Sequence, residues 1–179
     1  VIGTARGPGL EAQLDVTDPA AQAEFAASLK GRPVDLLICN AGVYLDKGHA
    51  LKTGFGADLW AQSLATNVTG VFLPIQALMD NLRAAPSAKI AIIASQMGSQ
   101  EKAPGGSYIY RASKAAAINL GRNLAVDLKP EGISVGTETP GRGQPDKRGA
   151  AGEITAQAAA RRRKQPVCTL HLSRPGRAG

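Results

Sequence analysis

The 179-residue sequence predicts an α/β fold built on a parallel sheet, and three observations carry that expectation. Residues 35–39 (DLLIC) and 89–94 (KIAIIA) are continuous apolar runs of strand length, the pattern of strands buried on both faces beneath helices. Each run is followed, after a polar stretch, by a longer segment with apolar residues at helical spacing. Strand and helix patterns then alternate along most of the chain, which points to right-handed crossovers between parallel strands.

Taken in order, residues 1–5 (VIGTA) form a short run rich in β-branched residues, and residues 10–16 form a second candidate strand ending at Asp15 and Val16. Asp18 can cap a helix whose first turn suits Pro19, whose apolar stripe is Phe25, Ala26 and Leu29, and which Gly31 ends. After the 35–39 strand, residues 40–56 read as a loop. Residues 57–82 are helical, with Leu59, Leu64, Val68, Val71, Phe72, Ile75 and Leu78 on the apolar side and Pro74 expected to bend or divide the helix. The 89–94 strand leads into a Gly-containing loop over 95–106. An Ala-rich helix over 108–128 is stopped by Pro130 and Gly132, and 133–136 (ISVG) is a further short strand. The domain of regular alternation spans 1–141. Residues 142–179 form a divergent basic tail with a possible helix over 153–164, a possible strand over 167–172 and a disordered end.

Composition narrows the function classes. Hydrophobic residues make up 44% of the chain, ordinary for a globular protein. No apolar run approaches the roughly 20 residues of a membrane-spanning helix, and no secretory signal opens the chain. The net charge of +7 lies entirely in the tail: residues 1–140 hold 12 Lys/Arg against 12 Asp/Glu, and residues 141–179 hold 9 against 2. That tail lacks interleaved aromatics for stacking on bases and lacks a clear amphipathic stripe, so neither nucleic acid nor membrane is an expected partner. Cys39 and Cys168 stand 129 positions apart, with no spacing that suits a metal site or a redox dithiol. No metal is expected, and low cysteine usage fits the cytoplasm.

The chemistry-bearing signal is Tyr110-Arg-Ala-Ser-Lys114. On a helix, positions i and i+4 share a face, so the phenol and the ammonium point the same way. A neighbouring cation lowers a phenol's pKa from about 10, which suits it to give a proton to a carbonyl oxygen or take one from an alcohol. Alone, the spacing is equally that of an amphipathic helix. Ser95 ends a buried strand 15 residues upstream, at the carboxyl edge where open α/β sheets bind ligands. Asn40, Ala41 and Gly42 end the preceding strand at the same edge, with small residues that permit close approach. Asn67 is a poor helix former inside the following helix, which implies a specific hydrogen bond.

This constellation resembles the short-chain dehydrogenase/reductase family, and most closely its bacterial C-factor-like branch. The matching residues are Asp15-Val-Thr-Asp18, Asn40-Ala-Gly42, Asn67, Ser95, Tyr110 with Lys114, and Pro140-Gly141, in order across residues 1–141. The resemblance implies a Rossmann-like, doubly wound parallel sheet and oxidoreduction with NADP, or NAD, between a carbonyl and an alcohol. It makes Tyr110 the acid/base, Lys114 the group that lowers its pKa and holds the nicotinamide ribose, and Ser95 the group that orients the substrate oxygen. Asn67 would help organise a proton-relay water. Asn40, Ala41 and Gly42 would line the cofactor, with Pro140 and Gly141 near it, and Asp15 and Val16 would flank the adenine.

Two departures follow. Gly3-Thr-Ala-Arg-Gly7-Pro-Gly9 matches GxxxGxG in letters, but only two residues precede it, and Pro8 removes an N–H that phosphate cradling needs. Residues 1–5 then correspond to the family's second strand, and the first strand and phosphate loop are expected to lie before residue 1. On this alignment Arg6 either pairs with a 2′-phosphate, favouring NADP, or is a solvated loop residue. Past Gly141 the family's Thr is missing and its seventh strand is unconvincing, with 167–172 as a substitute. The expected activity is NADP-preferring carbonyl–alcohol interconversion. The alternative is a truncated, catalytically silent relative with an exposed sheet edge that acts by binding. A homodimer through the two long helices, 57–82 and 108–128, is also expected.

Overall fold

The computed structural model describes residues 1–8, 10–139 and 168–172. Pro140, Gly141, the 153–164 segment and the rest of the basic tail apart from 168–172 lie outside the described residues. Six strands form one sheet: β1 (Ile2–Ala5), β2 (Ala12–Gln13), β3 (Val34–Cys39), β4 (Lys89–Ile93), β5 (Ser134–Glu138) and β6 (Cys168–Leu172), in the spatial order β2-β1-β6-β3-β4-β5. The helices are α1 (Pro19–Ser28), α2 (Ala57–Leu64), α3 (Gly70–Ala77), α4 (Met79–Arg83) and α5 (Tyr108–Leu128). The Rossmann-like α/β architecture is therefore present, with β1–β2, β3–β4 and β4–β5 all paired parallel.

Most elements form where local chemistry places them. Asp18 caps α1, its carboxylate accepting from Ala20 N at 2.9 Å and Ala21 N at 3.2 Å. The second strand is shorter than residues 10–16, because Asp15 folds back to accept from Thr17 N and Thr17 Oγ1 and turns the chain after Leu14. The 57–82 helix divides, but not at Pro74, which lies inside α3. The breaks are a π-helical turn over Ala65–Thr69 and a kink at Leu78 (φ −101°, ψ 10°).

One buried cluster joins the helices to the sheet. Alternate strand residues Leu37 and Cys39, Ile90 and Ile92, and Cys168 and Leu170 meet Phe25 and Leu29, Val71 and Ile75, Leu82, Ala117 and Leu128. At two helix crossings the layers leave no room for a side chain and glycines occupy them: a Cβ at Gly121 would run into Thr137 Cγ2, and one at Gly98 into the α5 backbone.

Within the 167–172 segment, the described residues 168–172 correct the sequence reading. They form a strand, but not a seventh one outside β5. It lies in the middle of the sheet, antiparallel to both neighbours, with Ile2↔Leu170 and Thr4↔Cys168 on one side and Leu37↔Leu170 and Cys39↔Cys168 on the other. In the doubly wound order this slot between the second and fourth strands belongs to the first strand. An empty slot would leave the inner rows of N–H and C=O on β1 and β3 unpaired in the interior, and β6 satisfies both. Leu170 and Cys168 are fully buried there, and the Thr4 hydroxyl accepts from Cys168 N and donates to Cys168 O. The sheet's outer edges are β2 and β5, so the exposed edge expected between β1 and β3 is closed.

The fold also brings together the two cysteines that the sequence separates. Cys39 and Cys168 face each other across the β3–β6 ladder as buried free thiols. The hydrogen bond that the Cys39 thiol gives to Cys168, with burial adding to it, holds Cys39 well above its ordinary range. Among the described residues, no helix is long and apolar enough to cross a membrane, and no cluster of potential metal ligands exists.

Candidate active site

Three segments converge at the carboxyl edge of β3 and β4: the loop after β3, the turn after β4, and the first two turns of α5. Tyr110 and Lys114 lie one turn apart on α5. The Tyr110 phenol hydrogen-bonds the Ser95 side chain. Ser95 follows β4 and caps a short 3-10 turn over Gln96–Gly98, its Oγ accepting from Met97 N at 3.2 Å. Gly98 lets this turn sit on α5: a Cβ there would lie 2.7 Å from Lys114 C and 2.8 Å from Ala115 N. The close approach is what brings Ser95 within reach of Tyr110.

Lys114 is 4% exposed, and its Nζ donates to Ile93 O at 2.9 Å. Among the described residues no carboxylate pairs with it; the ion pairs there join Arg83 to Asp80 and Glu131. Burial pulls the lysine below its ordinary pKa, as expected for an ammonium held away from water without a counter-charge. Gly42 makes room for it, since a Cβ at that position would stand 3.2 Å from Lys114 Nζ and 3.6 Å from Asn67 Oδ1.

The expected lowering of the Tyr110 pKa by Lys114 is absent from this geometry. Nζ lies 5.9 Å from the centre of the Tyr110 ring and is turned to the Ile93 carbonyl. Burial raises the phenol above its ordinary value, the Ser95 hydrogen bond partly offsets this, and Tyr44 adds to the rise. The resting phenol is protonated.

Asn67 lies in the π-helical turn and is completely buried. Its Oδ1 accepts from Val43 N at 2.7 Å, and its Nδ2 donates to Val43 O and Ser113 Oγ, both at 2.9 Å. The side chain thus ties the loop after β3 to α5, and the extra residue of the π turn turns it inward. Asn40 and Ala41 begin that loop, Ala41 buried and Asn40 half-buried.

The remaining sequence-predicted residues lie toward the other side of the sheet. Arg6 is exposed at the end of β1, close enough to Asp15 for its charge to help lower the Asp15 carboxyl. The larger causes of that lowering are the backbone and side-chain hydrogen bonds from Thr17. Val16 is 2% exposed, and its side chain packs at Gly70. The glycines of the GxxxGxG stretch do not open a helix: Gly3 pairs in β1 with Thr169, and β2 follows.

Two residues here escaped the sequence reading. Tyr44 stacks on Tyr110 with ring centres 4.4 Å apart at 22°, and its hydroxyl hydrogen-bonds Ser107 Oγ. Asp46 is buried and accepts from the Ile109 and Tyr110 amides. The only sign of them is an aromatic and an acid in the loop directly after Asn40-Ala-Gly42. Beside them His49, Thr53 and Phe55 line an open cavity of about 570 Å³, with Tyr108 edge-on to Phe55.

The comparisons with known proteins agree with this arrangement. The family model for short chain dehydrogenases matches residues 4–152. The chain is 32% identical over 158 residues to the C-signal protein of Myxococcus xanthus, covering 86% of this chain and 92% of that one. It is 32% identical over 147 residues to a cyclohexanol dehydrogenase of Rhodococcus sp. strain TK6, covering 79% and 54%. Among solved structures, the NADPH-bound carbonyl reductase from chicken fatty liver superposes with a TM-score of 0.67 at 29% identity, covering 83% of this chain and 67% of that one. The chain thus spans nearly all of one such relative and about half the length of others. With the family model running across most of its length, the chain belongs to the short chain dehydrogenase family.

Proposed function

We propose that this chain carries the site of an NADP-preferring oxidoreductase that interconverts a carbonyl and an alcohol. The observation that supports it best is a protonated phenol on Tyr110, hydrogen-bonded to Ser95, one helical turn from a buried ammonium that has no carboxylate partner among the described residues. In reduction, a substrate oxygen in place of the Ser95–Tyr110 hydrogen bond receives one bond from Ser95 and the proton from Tyr110. Oxidation runs the same proton path backward.

The residues present fit the nicotinamide end of such a cofactor. The Lys114 ammonium, bonded to a single carbonyl, has donors to offer ribose hydroxyls, and Gly42 leaves the space beside it open. A bound nicotinamide supplies or accepts hydride. Asn67 acts as a brace, its side chain committed to Val43 and Ser113, while Asn40, Ala41 and Gly42 line the cleft. Toward the adenine, Asp15 and the Val16 backbone form the seat, and Arg6 offers a guanidinium to a 2′-phosphate, the basis for preferring NADP. NADP- and NADPH-bound structures among the relatives support that choice.

The phosphate end supports a second reading, a form that binds without turnover. Pyrophosphate is ordinarily held by a glycine-rich turn and helix N-terminus after the central strand. Here the central strand is β6, which runs the other way and, among the described residues, brings Cys168 to that edge. Calorimetric titration of the chain with NADPH and NADH separates the readings: micromolar binding of NADPH over NADH supports the enzyme, and no binding of either supports the silent form. If binding is found, Tyr110→Phe should lower carbonyl reduction about 10²–10⁴-fold with cofactor affinity kept, as expected for loss of a general acid.

Assembly and location complete the proposal. Leu64 and Phe72 on α2 and α3 and Val126 on α5 are exposed apolar residues on the two long helical segments, suited to an isologous homodimer. Light scattering at tens of micromolar should give twice the 18.4 kDa chain mass, and a monomer mass refutes the dimer. Adjacent free thiols at Cys39 and Cys168 favour a reducing compartment such as the cytoplasm.

A further inference from the structure

The first turn of α5 carries Tyr110, yet it is not capped by its own N-cap residue. Ser107 occupies that position in the left-handed region (φ 49°, ψ 44°) after two more positive-φ residues, Gly105 and Gly106. A side chain that caps normally requires an extended N-cap backbone. The Ser107 hydroxyl makes no cap bond and is paired with Tyr44 instead. The orphan amides of the turn are taken by a residue 63 positions upstream: Asp46 Oδ2 accepts from Ile109 N at 2.9 Å, and Oδ1 accepts from Tyr110 N at 3.3 Å.

Asp46 is 1% exposed and has no cationic partner among the ion pairs of the described residues. A carboxylate buried this way persists only where hydrogen bonds and local dipoles replace its water, and the N-terminal end of α5 supplies both. The bond is made by the backbone of the same residue whose phenol faces Ser95. The same loop also lays the Tyr44 ring on the Tyr110 ring. The loop thus grips Tyr110 at its amide and at its ring.

We propose that Asp46 is a positioning residue: its buried carboxylate, acting as a long-range cap on α5, sets the height of Tyr110 against Ser95. This rests on the reading of Tyr110 as the acid/base, and its test does not require turnover. The full chain labelled with ζ-¹³C tyrosine gives signals for Tyr44, Tyr108 and Tyr110, with Tyr110 assigned by its loss in Tyr110→Phe. In Asp46→Ala the Tyr110 signal should titrate nearer the ordinary tyrosine value of 10.0, as the turn loosens and the phenol is less buried. Asp46→Asn, which keeps one acceptor oxygen, should shift it less in the same direction and carries the test if the Ala variant does not fold. Asp18→Ala removes the comparable cap of α1, far from Tyr110, and should leave the signal in place. A wild-type titration in both Asp46 variants, or in Asp46→Asn where it alone folds, overturns the proposal, and so does an equal shift in Asp18→Ala. The expected shifts in a chain that binds no NADPH would keep the positioning role and remove the proposed reaction.

Discussion

At the scale of single residues, the site is governed by two ionisable groups that burial pushes in opposite directions. The Tyr110 phenol is held above its ordinary value of 10.0 and the Lys114 ammonium below its ordinary value of 10.5. Because the proposed reduction uses the phenol's proton, kcat/KM for carbonyl reduction should be flat through neutrality and fall only above pH 10.0, as Tyr110 ionises; a decline centred lower contradicts the assignment. NADPH affinity should weaken as Lys114 loses its charge, at a pH below its ordinary value of 10.5, and calorimetry across the alkaline range reads this directly. The linkage to stability has the matching signs. Tyr110's contribution is full below 10.0 and lost as pH rises through its folded value, whereas Lys114's is present above 10.5 and lost as pH falls through its folded value. The Tyr–Lys pair, Ser95, Asn67 and Gly42 were legible in the sequence, because each is a residue type whose chemistry is evident at its position. Tyr44 and Asp46 were not, because an aromatic and an acid in a loop carry no periodicity that reveals what they touch.

Elements set the geometry between those residues. The turn after β4 and the α5 backbone touch at Gly98, so Gly98→Ala forces a Cβ to within 2.7 Å of α5. We expect a loss of about 1–3 kcal/mol in urea unfolding, the usual cost of overpacking, together with lost reduction activity as Ser95 moves from Tyr110. Asp18→Ala makes the contrast: removing the α1 cap should cost about 1 kcal/mol with cofactor binding unchanged. An equal loss of binding in both variants would mean that general destabilisation, not the Ser95–Tyr110 spacing, controls the site. The helix over 108–128 was read to the residue from its composition and its Pro130-Glu-Gly132 stop. The π-helical turn was not, because a single extra residue per turn is selected by what Asn67 reaches, the Val43 backbone, rather than by local preference.

Across the whole molecule, the sheet depends on its reversed central strand. β6 is flanked on both sides, and Leu170 at its middle is fully buried against Leu37 and Ile2 positions of the ladder. Leu170→Ala should therefore destabilise the chain by about 2–5 kcal/mol, the range for a core leucine, measured as a lower urea midpoint at unchanged slope. A change under about 0.5 kcal/mol, typical of surface positions, would show that β6 does not occupy the slot.

By itself the sequence determined the alternation of strands and helices, the cap of α1, the stops of α1 and α5, and the identity of the residues gathered at the carboxyl edge. These follow from local preference, from apolar period and from side-chain chemistry, all of which act over a few residues. Only the tertiary structure decided that residues 168–172 enter the middle of the sheet, that Cys39 and Cys168 meet there, and that Asp46 caps α5 from 63 positions away. Those outcomes turn on which buried N–H, C=O and apolar groups lack a partner once the sheet assembles, and that demand arises between segments that are distant along the chain.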